Sequence, residues 1–203
     1  MTTARSLLLV VLDQTHGRAV SPGDLSLALA GAELVDLLGT GAAALHEDRV
    51  VPDPGAAPAD ALLARACAAL RREEPYEPVG DWLWRRGEGL ADTYVGVLEA
   101  EGALSARRRG RLFADGALTL ADSVDRRRAV ESWSSADPVL VSLAEEMGIT
   151  GASAPDPESL ESLDDSVTLV LAAVGDALLE LEGVRQRRTI EQAAFDNVWR
   201  GSN

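Results

Sequence analysis

The chain has 203 residues, 46% of them apolar and only 4% aromatic, and a formal charge of −14. That length supports one ordinary hydrophobic core, or two small ones sharing an interface, and the apolar fraction excludes a disordered chain. The net charge counts against general binding to nucleic acid or anionic membrane, because like charges repel over a Debye length of about 10 Å.

The apolar content lies in Ala, Leu and Val, which favours helices. No run approaches the roughly 18 uncharged apolar residues of a membrane span. The run Leu7 to Leu12 is shorter than that and lacks a cleavage-site pattern, so it reads as a core helix and not a signal peptide. Cys67 is the only cysteine, which excludes an internal disulfide and fits a reducing, cytoplasmic location. All 19 basic residues are arginine, which together with the alanine content points to a GC-rich bacterial genome.

In chain order, Thr3 to Leu12 reads as a helix ending at Asp13, before the turn-like Thr15-His16-Gly17. Ser21-Pro22-Gly23-Asp24 opens a second helix, with Ser21 or Asp24 available as N-cap. Within it Leu27, Ala30, Leu34 and Leu38 recur at helical spacing as a buried stripe, and Gly39 and Gly41 end it. His46 to Pro52 contains Val50-Val51 and reads as a short strand. Pro54 to Pro58 is a loop, after which Asp60 caps a helix with Leu63, Cys67 and Leu70 on one face. Asp81 to Arg86 and Leu90 to Ala100 are further helices, the second closed by Gly102.

Next, Ala103 to Ala106, then Arg107-Arg108-Arg109-Gly110, then Arg111-Leu112-Phe113 reads as strand, turn, strand. Helix resumes from Leu118 to Trp133 with Arg126, Arg127 and Arg128 inside it, and Asp137-Pro138 opens another over Val139 to Met147. Gly151 to Pro157 is a second loop. Leu160 to Glu182 and Val184 to Trp199 form one long helix broken near Gly183, or two. A faint internal echo joins Glu33 to Leu38 and Val97 to Gly102, each a helix end leading to a short β element.

Charge is segregated along this chain. Ser134 to Glu182 holds eleven acids and no base, whereas Glu101 to Arg128 holds seven arginines against four acids, 7 − 4 = +3. Recognisable chemistry is missing. His16 and His46 have no Cys, Asp or second His at ligand spacing, so no metal site is read, and no nucleophile elbow, Walker loop or His-Glu-x-x-His occurs. Gly39-Thr40-Gly41-Ala42-Ala43-Ala44 matches a dinucleotide pattern, but it follows a helix instead of a strand and reads as a helix-ending turn. Glu145-Glu146 and Asp164-Asp165 are adjacent pairs that diverge on a helix, and Cys67 reads as core filler. No catalytic residue, metal or cofactor is expected, and an enzyme is not supported.

The basic elements are the better lead. Arg107, Arg108, Arg109 and Arg111 at a hairpin tip suit phosphate oxygens; the plainer alternative is an exposed turn paired with the acidic body. Arg126 to Arg128, and Arg185, Arg187 and Arg188, read as helix-surface charges with acidic partners such as Glu191 for Arg187.

The order of segments resembles a known family. Leu7 to Asp13 runs into a Gly-containing turn, then comes Gly31-Ala32-Glu33-Leu34-Val35-Asp36-Leu37. Val79-Gly80-Asp81-Trp82-Leu83 follows, and Leu98 to Leu104 leads into a hairpin ending Leu112-Phe113. Over residues 3 to 150 this is similar to the Golgi phosphoprotein 3-like family, whose eukaryotic members bind phosphatidylinositol 4-phosphate on Golgi membranes and which has divergent actinobacterial relatives. The resemblance implies a mainly α fold across residues 1–203: a single helical-bundle domain with peripheral amphipathic helices and one projecting β-hairpin, through which family members also self-associate. It implies a non-enzymatic peripheral adaptor at the cytoplasmic face of a membrane, its partner an anionic lipid headgroup. The family's headgroup site uses a tryptophan and an arginine flanking the second helix, and an arginine pair before a later helix. By position these fall near Ser21, at Ala30 and at Ala136-Asp137-Pro138, so none of the binding side chains is retained.

Three readings follow. The first is a lipid- or phosphate-binding adaptor that uses the Arg107 to Arg111 hairpin. The second is a protein-interaction scaffold that has lost the lipid. The third is a winged-helix nucleic-acid binder, against which the net charge argues.

Overall fold

The computed structural model describes residues 1–14, 20–106 and 118–201. Among these, nine helices dominate, as the composition predicts. The central one is α2 (Pro22–Gly39), buried on almost every side and packed against α1 (Thr3–Gln14), α4 (Val79–Gly87), α5 (Leu90–Ala100) and α9 (Asp165–Gly201). Because Leu, Ala and Val fill all of its faces, the apolar stripe read from Leu27, Ala30 and Leu34 is only part of what is buried. Pro22 at the first turn has no N–H to satisfy and starts the helix after Ser21. Asp60 accepts from Leu62 and Leu63 N–H, both at 3.0 Å, and caps α3 (Ala61–Ala69) as expected.

The ends of α2 and α5 turn the internal echo into geometry. Each finishes on a left-handed glycine, Gly41 at φ 69° and Gly102 at φ 74°, and the following N–H returns to a carbonyl five residues back. Each then leads into a hairpin. The first is β1 (Ala43–His46) with β2 (Arg49–Pro52), where a single strand was expected; β3 (Glu77–Pro78) adds to its far edge. Its two-residue turn puts Glu47 at φ 56°, and Glu-Asp carries none of the Asn-Gly or Asp-Gly signal by which such turns are read.

The second hairpin corrects the reading further. The partner of β4 (Leu104–Ala106) among the described residues is β5 (Leu118–Leu120), in the register Leu104↔Leu120 and Ala106↔Leu118, and the expected strand Arg111-Leu112-Phe113 lies outside those residues. The stretch Leu118-Thr119-Leu120 alternates as a strand does. The next helix, α6 (Val124–Ser134), waits for Ser123, whose side chain caps it by accepting from Arg126 N–H at 3.0 Å. Asp137 caps α7 (Pro138–Glu146), and α8 (Pro157–Glu161) precedes α9. The expected break near Gly183 is absent, and α9 runs unbroken to Gly201. The buried side chains of these elements form one contiguous apolar cluster.

Candidate functional site

The stem of the basic hairpin is fixed to the body by one ion-pair knot. Arg5 on α1 donates to both carboxylate oxygens of Glu101, at 2.5 and 3.0 Å, and lies 3.6 Å from Asp125. The hydrogen bond to Glu101, helped by the two carboxylate charges, raises the Arg5 guanidinium, and the same hydrogen bond holds Glu101 below the usual carboxylate range. Leu104 is buried beneath the stem, and Ala121 N–H donates to Ala103 carbonyl at 3.0 Å to extend the ladder. Because the Glu101 carboxyl is depressed in the fold, its contribution is present above the unfolded carboxylate value of about 4.3 and is lost as pH falls through the lower folded value. Glu101→Gln is therefore expected to melt below the wild type at neutral pH, with the gap closing once pH drops below that window. A gap unchanged down to acid pH would refute the role given to this ion pair.

Arg107, Arg108, Arg109 and Arg111 lie outside the described residues. The connection they belong to, residues 107–117, holds four arginines and Asp115, 4 − 1 = +3.

The family's pocket positions are not gathered into one site. Ser21 accepts a hydrogen bond from Arg185 of α9, and Arg185 also meets Asp24 at 2.8 Å and Glu182 at 3.7 Å. One guanidinium against two carboxylates leaves no positive surplus for a phosphate. Ala30 is fully buried, its carbonyl accepting from Trp82 Nε1–H at 3.2 Å. Asp137 spends its carboxylate on Leu140 N–H at 3.0 Å. It lines a cleft of about 440 Å³ together with Met1, Thr3, Ser6, Arg128 and Glu131. Thr3 N–H is bonded to Asp36, fifteen residues along α2 from Ser21, or roughly 22 Å at 1.5 Å per residue. Ser21 and Asp137 therefore sit toward opposite ends of α2. The cleft near Asp137 again sets one arginine against two acids.

A buried charge cluster was missed in the sequence reading. Glu33 on α2 is fully buried; Arg86 donates to it through Nε and Nη2 at 2.7 and 2.9 Å, and Tyr94 O–H at 3.0 Å. Burial pushes the Glu33 carboxyl up against the pull of Arg86, and burial likewise raises the Tyr94 phenol. None of the three lines either cleft. The cluster ties α2 to α4 and α5, and its only sequence signal is a carboxylate inside an otherwise apolar helix. Arg185 was likewise read as a surface charge with neighbours on its own helix, but its main partner, Asp24, is 161 residues away. For Arg187 the expected Glu191 pair is not formed; its Nε donates to Gly183 carbonyl at 3.3 Å.

A family model described as Golgi phosphoprotein 3 (GPP34) matches residues 4–186. No curated protein matches the chain. The matched span runs past the residues 3–150 over which the resemblance was read, and it ends inside α9.

Proposed function

We propose that this chain, which belongs to the Golgi phosphoprotein 3 family, is a non-enzymatic peripheral adaptor that meets an anionic headgroup of the phosphatidylinositol 4-phosphate type through Arg107, Arg108, Arg109 and Arg111. The observation that carries this reading is where cationic charge is left to spend. Arg5, Arg85, Arg86, Arg126, Arg127 and Arg185 each have a carboxylate within 4.0 Å, and in the cleft beside Asp137 the one arginine, Arg128, faces Glu131 and Asp137. The 107–117 connection keeps a surplus of three positive charges on a body that is otherwise strongly acidic. An anionic surface repels the acidic body as a whole, and the local surplus at the hairpin sets orientation as well as affinity. Among the described residues no helix is long and apolar enough to cross a membrane, and the contact proposed is a peripheral one at the cytoplasmic face.

Vesicle co-sedimentation tests this. At low salt the wild type is expected to pellet with phosphatidylcholine vesicles carrying phosphatidylinositol 4-phosphate. Replacing the four hairpin arginines by alanine is expected to weaken that binding at least about tenfold, or ~1.4 kcal/mol. Basic groups near an anionic surface contribute about 1 kcal/mol each, so the bound fraction also falls steeply with added salt. A wild type that stays in the supernatant at low salt would sink the proposal. It would favour the second reading, a protein-interaction module that has kept the fold and lost the lipid, for which the acidic run from Ser134 to Glu182 speaks.

A further inference from the structure

A second cleft, of about 280 Å³, opens between the start of α4, the β1–β2 turn and the N-terminal half of α9. Its floor is apolar, with Leu169 and Ala173 from α9, and Trp84 stands in its wall with 38% of its surface exposed. Asp48, Asp176 and Glu180 surround it, and among the described residues none of the three has an arginine within 4.0 Å. An exposed indole inside a rim of unpaired like charges is the anatomy of an interface centre, and its sign calls for a cationic occupant.

The same helix carries one. From Gln186 through Gln192 every residue of α9 is exposed, Ile190 at 68%. Arg187 and Arg188 open this arm, and among the described residues neither has a carboxylate within 4.0 Å. The acidic run ends at Glu182, and the basic turns begin three residues later. A continuous helix cannot fold back onto a groove floored by its own earlier turns, so the arm reaches such a groove only on another molecule. The family match stops at residue 186, just before the arm.

We propose that the exposed turn of α9 that carries Arg187, Arg188 and Ile190 docks in the Trp84 groove of a second copy, its arginines against the acidic rim and Ile190 against the indole. A charge exchange tests this on the full chain. Sedimentation velocity over a concentration series is expected to show self-association of the wild type, weakened by salt. Asp176→Arg with Glu180→Arg is expected to raise the apparent Kd at least tenfold, and so is Arg187→Glu with Arg188→Glu. Mixing the two variants pairs each reversed groove with a reversed arm and is expected to restore association to the wild-type range. All four substituted positions are exposed, and unchanged melting midpoints confirm intact folds. A wild type that stays monomeric overturns the proposal, as does association that survives either reversal. So do a mixture that fails to reassociate and an arm reversal that alters vesicle binding alone. Association abolished only by replacing Arg107 to Arg111 assigns the contact to the hairpin and also overturns it.

Discussion

Arg86→Ala is expected to destabilise the fold by about 3–5 kcal/mol, the cost of leaving a buried charge without its partner. Glu33 has no exposed surface, and once Arg86 is gone only the Tyr94 hydroxyl donates to it. Replacing both members, Glu33→Met with Arg86→Leu, is expected to recover much of the loss, since an apolar pair of similar volume removes the desolvation cost along with the attraction. The pH dependence identifies the cause. Burial already holds the Glu33 carboxyl above its ordinary value, and losing Arg86 pushes it higher. A carboxyl raised in the fold contributes stability below its unfolded value of about 4.3 and loses it as pH rises through the folded value. The deficit of Arg86→Ala relative to wild type, followed by urea unfolding, is therefore expected to shrink as pH falls from neutral toward 4. A deficit that stays constant over that range would exclude Glu33 as its source.

Gly31→Val is expected to cost about 3 kcal/mol for a steric reason. A Cβ at position 31 would lie 2.3 Å from Val174 Cγ2, so α2 and α9 touch there because one side chain is missing. Valine is stiff about χ1, and neither helix yields without disturbing its other contacts. The loss exceeds the few tenths of a kcal/mol that replacing a mid-helix glycine by valine returns in propensity. Val174→Ala in the same chain is expected to restore part of the stability, and thermal unfolding of the four-membered cycle measures the coupling. If the two substitutions simply added, the close approach of α2 and α9 would not be what Gly31 provides.

How far this fold could be read in advance depended on whether the signal was local. The caps at Asp60 and Asp137, the start of α5 and the glycine stop at Gly41 are written in a few adjacent residues, and they stand where the sequence puts them. The turn at Glu47 uses a residue that rarely takes positive φ, so the β1–β2 hairpin shows only as one strand. The strand Leu118–Leu120 was absorbed into α6 because three residues are too few to reveal a period. The arginines were the least legible, since a guanidinium's partner is chosen by tertiary packing. Arg86 reaches 53 residues back to Glu33, and Arg126 reaches 113 residues back to Asp13. At the candidate site, the sequence alone marks the four hairpin arginines as a cluster, while the apolar wall beside Trp84 comes from α9, far along the chain.

The tryptophans of the described core divide by what surrounds them. Trp82 is sealed with its indole N–H bonded to a carbonyl, and Trp133 is 5% exposed, whereas Trp84 faces water. The first two are inaccessible to a dissolved collisional quencher and emit toward the blue. The third emits toward the red and is open to quenching. Among these three, anything seated in the groove would darken or blue-shift only the Trp84 component. With Trp199 replaced by phenylalanine, the intrinsic fluorescence is thus expected to resolve an event at one surface from a change in the interior, without any label.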